Sequence, residues 1–279
     1  MDNQQKVHPR GRPRSVEAEA AIIDATLDLI VEWGVSALSV EAVAARAGVE
    51  ARMVGTPGEP REGDYEEDLR EARGCLLEAG GQLSDALHGG RFPVLTAGAC
   101  SICLTTLPAL ARERPNAFVL WLDAHGDFNS PRTTPSRFLG GMCLAGACGV
   151  WDAGFEGPPL DPSRVVMCGV RDVDGGERVL LESHGVSVIE RPSRLADALA
   201  GREVFVHLDV DVLDPSVMPG MAFPAPGGFS APGLTRMLAD VARAATVIGI
   251  EVTGCPSAEA AQTVAPVVAA VLPGRGGPE

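Results

Sequence analysis

Short runs of large apolar residues alternate with amphipathic stretches along most of this chain, and the alternation predicts an architecture before any chemistry is considered. The runs at 92–96, 117–122, 165–168, 186–189, 204–208 and 247–250 are compact and rich in large or β-branched residues, as buried strands of a parallel sheet are. Between them, residues 64–87, 101–112, 177–184, 195–199, 232–244 and 257–271 carry apolar positions at helical spacing. Strand and helix in turn predict an α/β domain on a parallel sheet. The first residues read differently. Lys6, Arg10, Arg12 and Arg14 stand among Gly and Pro as a basic arm, and Ile22, Thr26, Leu29, Ile30 and Trp33 share one helical face that Gly34 ends. Ser39 can cap a second helix carrying Val40, Val43, Ala44 and Ala47. Residues 55–63, rich in Gly, Pro and charge, read as a linker. The expected division is therefore a helical appendage over 1–54 and a main domain over 55–279.

Composition narrows the class. A chain of 279 residues accommodates one large α/β domain and a small appendage, and 46% apolar with 22% charged content is globular. No apolar run is long enough for a membrane span. The net charge of −14 argues against wholesale nucleic-acid binding by the main body. No basic segment followed by an apolar core opens the chain, so the cytoplasm is the expected location, and seven irregularly spaced cysteines fit a reducing compartment.

Chemistry concentrates where two predicted strands end. Asp123, His125 and Asp127 follow the run 117–122, and His207, Asp209 and Asp211 follow the run 204–206. Parallel sheets place ligands outside the carboxyl ends of their strands, and residues two apart in an extended segment point the same way. Carboxylates gathered in this fashion repel one another, and a divalent cation between them reverses that repulsion. Oxygen donors with one imidazole favour Mn²⁺, with Fe²⁺, Co²⁺ or Zn²⁺ as alternatives. For Asp123–Asp127 alone, a polar strand end with a satisfied histidine is the competing reading.

The stretches Asp123–Asp127 and His207–Pro215 resemble the ureohydrolase superfamily of arginase, agmatinase and formiminoglutamase, over roughly residues 55–275. The resemblance implies a three-layer α/β/α fold around a parallel sheet, a binuclear manganese centre, and hydrolysis of a guanidino compound, L-arginine-like, to urea and an amine by metal-activated water. It implies a homo-oligomer. Carried over, Asp123, His125, Asp209 and Asp211 make one metal site; Asp123, Asp127 and Asp209 make the other, with Cys100 where the family has a histidine. Cys100 is then either a softer ligand or an inert buried thiol. Asp127 is expected to move protons and Glu251 to pair with the guanidinium, while Asn129, Thr134 and Ser136 address the α-carboxylate and Asp174 and Glu177 the α-amino group. His207, in place of a serine, is expected to hydrogen-bond behind the ligands. Gly140 stands where a shuttle histidine is expected, and Phe223, in place of a threonine, would narrow or dry the pocket.

Two other readings are compatible with these residues: a single-zinc centre like that of the related deacetylases, and a catalytically impaired homologue with a binding or regulatory role. Residues 10–49 resemble the amino-terminal half of a TetR-type helix-turn-helix domain, but Gly55-Thr56-Pro57-Gly58 follows too soon for a complete recognition helix, so DNA binding is not expected. With no strand evident before residue 90, the family's first strand looks replaced by this appendage, which would leave an exposed sheet edge.

Overall fold

The computed structural model describes residues 63–273; the basic arm and the TetR-like segment lie outside the described residues. The first helix, α1 (Tyr65–His88), starts where Asp64 accepts the Glu67 amide at 3.1 Å and Glu66, Glu67 and Asp68 face its N-terminal dipole. It buries Leu76, Ala79, Gly80, Leu83 and Leu87 against α2 (Cys103–Glu113), which a 3₁₀ turn over Cys100–Ile102 precedes. At their crossing a Cβ on Gly80 would lie 2.8 Å from the Thr105 Cβ, so the approach requires glycine.

Six strands follow the predicted alternation: β1 (Val94–Thr96), β2 (Phe118–Leu122), β3 (Val165–Cys168), β4 (Ser187–Val188), β5 (Glu203–Asp209) and β6 (Thr246–Thr253). Short helices α3 (Cys143–Ala147), α4 (Gly175–Ser183) and α5 (Leu195–Leu199), then α6 (Ala231–Ala244) and α7 (Ala258–Ala269), connect or follow them. The strands form one sheet in the order β1-β6-β5-β2-β3-β4, and every pairing is parallel. Side chains alternate between its faces: Val119, Trp121 and Phe205 pack with the residues of α1 and α2, while Leu120, Leu122, Val204, Val206 and Leu208 pack with those of α6 and α7. Helices on both faces and a parallel sheet between them match the expected three-layer α/β/α architecture.

The largest departure from the predicted boundaries is β6, expected at 247–250 but continuing to Thr253. Its last residues include Glu251 and Thr253, polar groups that end an apolar run yet are fully buried because neighbouring strands supply their hydrogen bonds. β4 is shorter than expected and exposed. The edge strands β1 and β4 are only three and two residues long, with Val94 and Val188 open to solvent, and such brevity limits edge-to-edge pairing.

Register positions the site. Trp121 lies opposite His207 and His207 opposite Glu251, while Leu122 faces Leu208 and Asp209 faces Thr253. β2, β5 and β6 therefore end level with one another.

The Gly80 crossing gives a direct test of the helical layer. Gly80→Val forces α1 from α2 and should cost about 1–3 kcal/mol of stability, read from a denaturant midpoint; an unchanged midpoint would show that the two helices do not depend on this approach.

Candidate metal centre

Asp123 stands one residue beyond β2 and is almost wholly buried. Its Oδ1 accepts the His125 amide at 2.7 Å and lies 3.4 Å from His125 Nδ1, which in turn lies 3.0 Å from Asp211 Oδ2. The Ala124 amide donates to Asp211 Oδ1 at 3.0 Å, tying the turn after β2 to the turn after β5. Asp209 accepts the Asp211 amide on Oδ1 at 2.9 Å and, on Oδ2, the Thr253 hydroxyl at 3.0 Å and the Cys100 thiol at 2.8 Å. Cys100 Sγ is 3.9 Å from Asp123 Oδ2. Two groups of donors result, each within 4.8 Å: Asp123 with His125 and Asp211, and Asp123 with Cys100 and His207. The shared carboxylate joins them.

Burial, then the neighbouring carboxylates, pushes Asp123 well above the usual range; burial likewise raises Asp127 and Asp209. Burial also opposes ionisation of Asp211, but hydrogen bonding and charge from His125 outweigh it and leave that carboxyl low. Burial would lower His125, yet Asp123 and Asp211 hold its proton up to about 11. Buried acids that must otherwise retain protons, beside an imidazole with acidic neighbours and a buried thiol, are a donor set suited to a divalent cation. The fit extends to His207, whose Nε2 is buried with no hydrogen-bond partner among the described residues.

Asp127 has the left-handed φ of 48°, uncommon outside glycine but tolerated by aspartate, and Cys143 Sγ sits 3.5 Å from its Oδ2. Its carbonyl accepts the Leu144 and Ala145 amides, which fastens α3 beneath the site. Asn129 Nδ2 donates to Asp174 Oδ2 at 3.0 Å, bringing together the segments expected to meet the α-carboxylate and the α-amino group, while Asn129 Oδ1 is buried without a partner among the described residues. Glu177 is committed to structure: it accepts the Phe128 amide at 2.7 Å and the Asp174 amide at 3.2 Å, and burial raises it to about 6. Thr134 and Ser136 are half-buried and accept the amides of Arg137 and Phe138, which leaves their hydroxyl hydrogens free to donate elsewhere.

Glu251 departs from expectation. It is fully buried; His207 Nδ1 lies 2.8 Å from Oε1 and the Thr106 hydroxyl donates to Oε2 at 2.7 Å, so in this arrangement it secures His207 and presents no oxygen to a guanidinium. Nothing in the sequence signals Thr106 or Cys143, which lie inside ordinary apolar stretches, or Thr253, which reads as the polar end of an apolar run. At Gly140 a Cβ would meet the Phe138 ring at 2.4 Å: Phe138 fills the space a shuttle histidine would need. Phe138 also packs on Phe223, whose ring meets the edge of His125 at a centroid distance of 6.4 Å, so aromatic rings flank the outer donor group.

Two anchors hold the surrounding loops. Arg171 donates to the carbonyls of Gly169, Asp211, Val212, Leu213 and Ala225, lashing the end of β3 to the turn after β5. Asp214 accepts from Ser216, Gly227 and Gly228, closing the loop that carries Phe223.

Fold and site together define a parallel α/β protein with a candidate cation centre at its strand ends. A family model described as the arginase family matches residues 61–272, and the chain belongs to that family. An N(omega)-hydroxy-L-arginine amidinohydrolase from Streptomyces lavendulae is 37% identical over 246 residues, covering 85% of this chain and 89% of that protein. An arginase from Brevibacillus brevis is 34% identical over 60% of this chain and 61% of its own length. Among solved structures, the arginase from Bacillus cereus superposes with a TM-score of 0.72 over 93% of this chain and 91% of that one; at 24% identity this concerns the fold. Among the described residues, no helix is long and apolar enough to cross a membrane.

Two outcomes follow from this geometry. Adding Mn²⁺ to chelator-treated protein should raise its melting temperature, by an amount equivalent to about 2.7 kcal/mol at a hundredfold excess over Kd, and Asp123→Ala should abolish the rise because both donor groups lose their shared member. The Asp214 carboxyl, held down to about 2 from an ordinary 3.8 by the Ser216 hydroxyl and by backbone amides, contributes stability that is present above pH 3.8 and lost as pH falls through about 2. Asp214→Asn should therefore lower the urea midpoint at pH 7, with the difference from wild type closing between about pH 4 and pH 2.

Proposed function

We propose that this chain is a metal-dependent amidinohydrolase that splits the guanidino group of an arginine-like α-amino acid, with or without an N-hydroxyl, into urea or hydroxyurea and an amine. The observation that carries the reading is Asp123, shared by two separate donor groups. Membership of the arginase family and the 37% identity to the Streptomyces lavendulae enzyme support the reaction class. The second donor group favours two cations over the single zinc of a deacetylase-like centre.

Bound there, divalent ions supply Lewis acidity and bring the pKa of water down to about 7. Asp127, buried beside the centre, takes the proton of the attacking water and passes it to the departing amine, so the leaving group departs neutral. Asp174 and the unpartnered Asn129 carbonyl oxygen offer acceptors to an α-ammonium, and the Thr134 and Ser136 hydroxyls donate to the α-carboxylate. Phe138 and Phe223 restrict water around His125. The oxygen-rich Asp123, His125 and Asp211 group suits manganese. We read residues 1–54 as a separate unit and 55–279 as the hydrolase unit of a cytoplasmic homo-oligomer without a DNA role; the family match beginning at residue 61 supports that boundary.

Urea and hydroxyurea release from L-arginine, Nω-hydroxy-L-arginine, agmatine and guanidinobutyrate tests the proposal. Turnover is expected only for the two substrates with both α-groups; no release from any of them with Mn²⁺ present would overturn it. Asp127→Asn should lower kcat by about 10²–10⁴ with little change in KM.

A further inference from the structure

The donor group at Cys100 contains a residue whose environment is built for ligation. His207 lies in the middle of the sheet, between Trp121 of β2 and Glu251 of β6, and is fully buried. Its ring stacks flat on the Trp121 indole, with centroids 3.5 Å apart and planes 1° from parallel, so it cannot turn freely. Nδ1 lies 2.8 Å from Glu251 Oε1, and the other Glu251 oxygen accepts the Thr106 hydroxyl at 2.7 Å. A carboxylate receiving donors on both oxygens assigns the ring proton to Nδ1, which leaves the lone pair on Nε2. That atom is buried and has no hydrogen-bond partner among the described residues. A buried imidazole acceptor without a donor is unfavourable unless something electrophilic comes to it. A ring nitrogen of His207, Cys100 Sγ and an Asp123 oxygen lie within 4.8 Å of one another, and Nδ1 is already engaged by Glu251.

We propose that the cation site beside Cys100 takes its imidazole from His207 on β5, completed by the Cys100 thiolate and the Asp123 carboxylate, with Glu251 orienting the ring. A carboxylate that holds the far nitrogen of a ligating histidine fixes its tautomer and raises its basicity. The thiol at position 100 and the imidazole at position 207 are then one device: a turn that carries sulfur is paired with a strand that carries nitrogen. Mixed sulfur, nitrogen and oxygen donors select a borderline ion of the Zn²⁺, Co²⁺ or Fe²⁺ type, whereas the Asp123, His125 and Asp211 group, with two carboxylates, tolerates a harder one. The chain would thus bind two ions of different preference.

This inference rests on the metal-dependent reading, and the test separates the two without using turnover. Full-length protein stripped with chelator is titrated with Co²⁺, following the thiolate-to-cobalt charge-transfer band in the near ultraviolet and the metal content of the desalted protein. Wild type should show the band and hold about two ions per chain. His207→Ser should lose the band, bind the second ion at least about tenfold more weakly and retain about one ion, with unchanged circular dichroism. His207→Gln, closer in volume, gives the same reading should serine pack poorly. The double variant Cys100→His with His207→Ser should recover about two ions without the band, because nitrogen has moved from strand to turn. His207 variants that keep the band, the ion count and the affinity would overturn this inference while leaving the hydrolase proposal standing. A wild-type chain that binds no cobalt would overturn both.

Discussion

Acidic side chains that water barely reaches, brought level at the ends of adjacent strands, are the constraint to which the surrounding structure answers. Two like charges 4 Å apart repel by about 4 kcal/mol at the effective dielectric of a protein surface, and Asp123, Asp127, Asp209 and Asp211 are all buried. The chain offsets part of this locally. Amides of Ala124, His125 and Asp211 point at carboxylate oxygens because the backbone turns immediately after β2 and β5, and His125 lies between Asp123 and Asp211 as their protonated partner. Asp211 is thereby held low while Asp123, Asp127 and Asp209 remain high. That unequal settlement is what leaves work for a cation.

The same constraint explains where the fold spends its rigidity. Among the described residues Arg171 places no hydrogen bond on a carboxylate; its guanidinium binds backbone carbonyls and fixes the turn from which Asp211 projects. Asp127 adopts a left-handed backbone that reverses the chain, so its carbonyl fastens α3 and its carboxylate meets Cys143. Glu177 spends both oxygens on the amides of Phe128 and Asp174 and so couples the segment after β2 to the start of α4.

Much of this was legible in the sequence, for identifiable reasons. The alternation of apolar runs and amphipathic stretches located all six strands, since period and length are local properties. The strand-end positions of Asp123, His125, Asp209 and Asp211 followed from the same pattern plus the rule for parallel sheets. What local pattern could not carry is who meets whom across the sheet. Glu251 and Thr106 are 145 residues apart, and Thr253 reaches Asp209 across 44. The length of β6 was underestimated for that reason: Glu251 and Thr253 look like a polar terminus until their partners on other strands are known. Phe138 in the space above Gly140 is a packing fact of the same kind, invisible to spacing.

The commitment of Glu251 to His207 redistributes recognition in the cleft. A carboxylate that grips a planar guanidinium must present its oxygens outward, and here both are spent inward on an imidazole and a hydroxyl. On the proposed reading, the reacting end of a substrate would meet the Phe138 and Phe223 rings, whose faces attract a planar cation, in place of an outward carboxylate. On that reading selectivity would pass to the other end, where Asn129 and Asp174 are already joined and the Thr134 and Ser136 hydroxyls accept backbone amides and keep their hydrogens to give. On the proposed reading, a histidine placed on the central strand would bear on two properties at once: which ion the site beside Cys100 takes, and which end of the substrate the protein reads most closely.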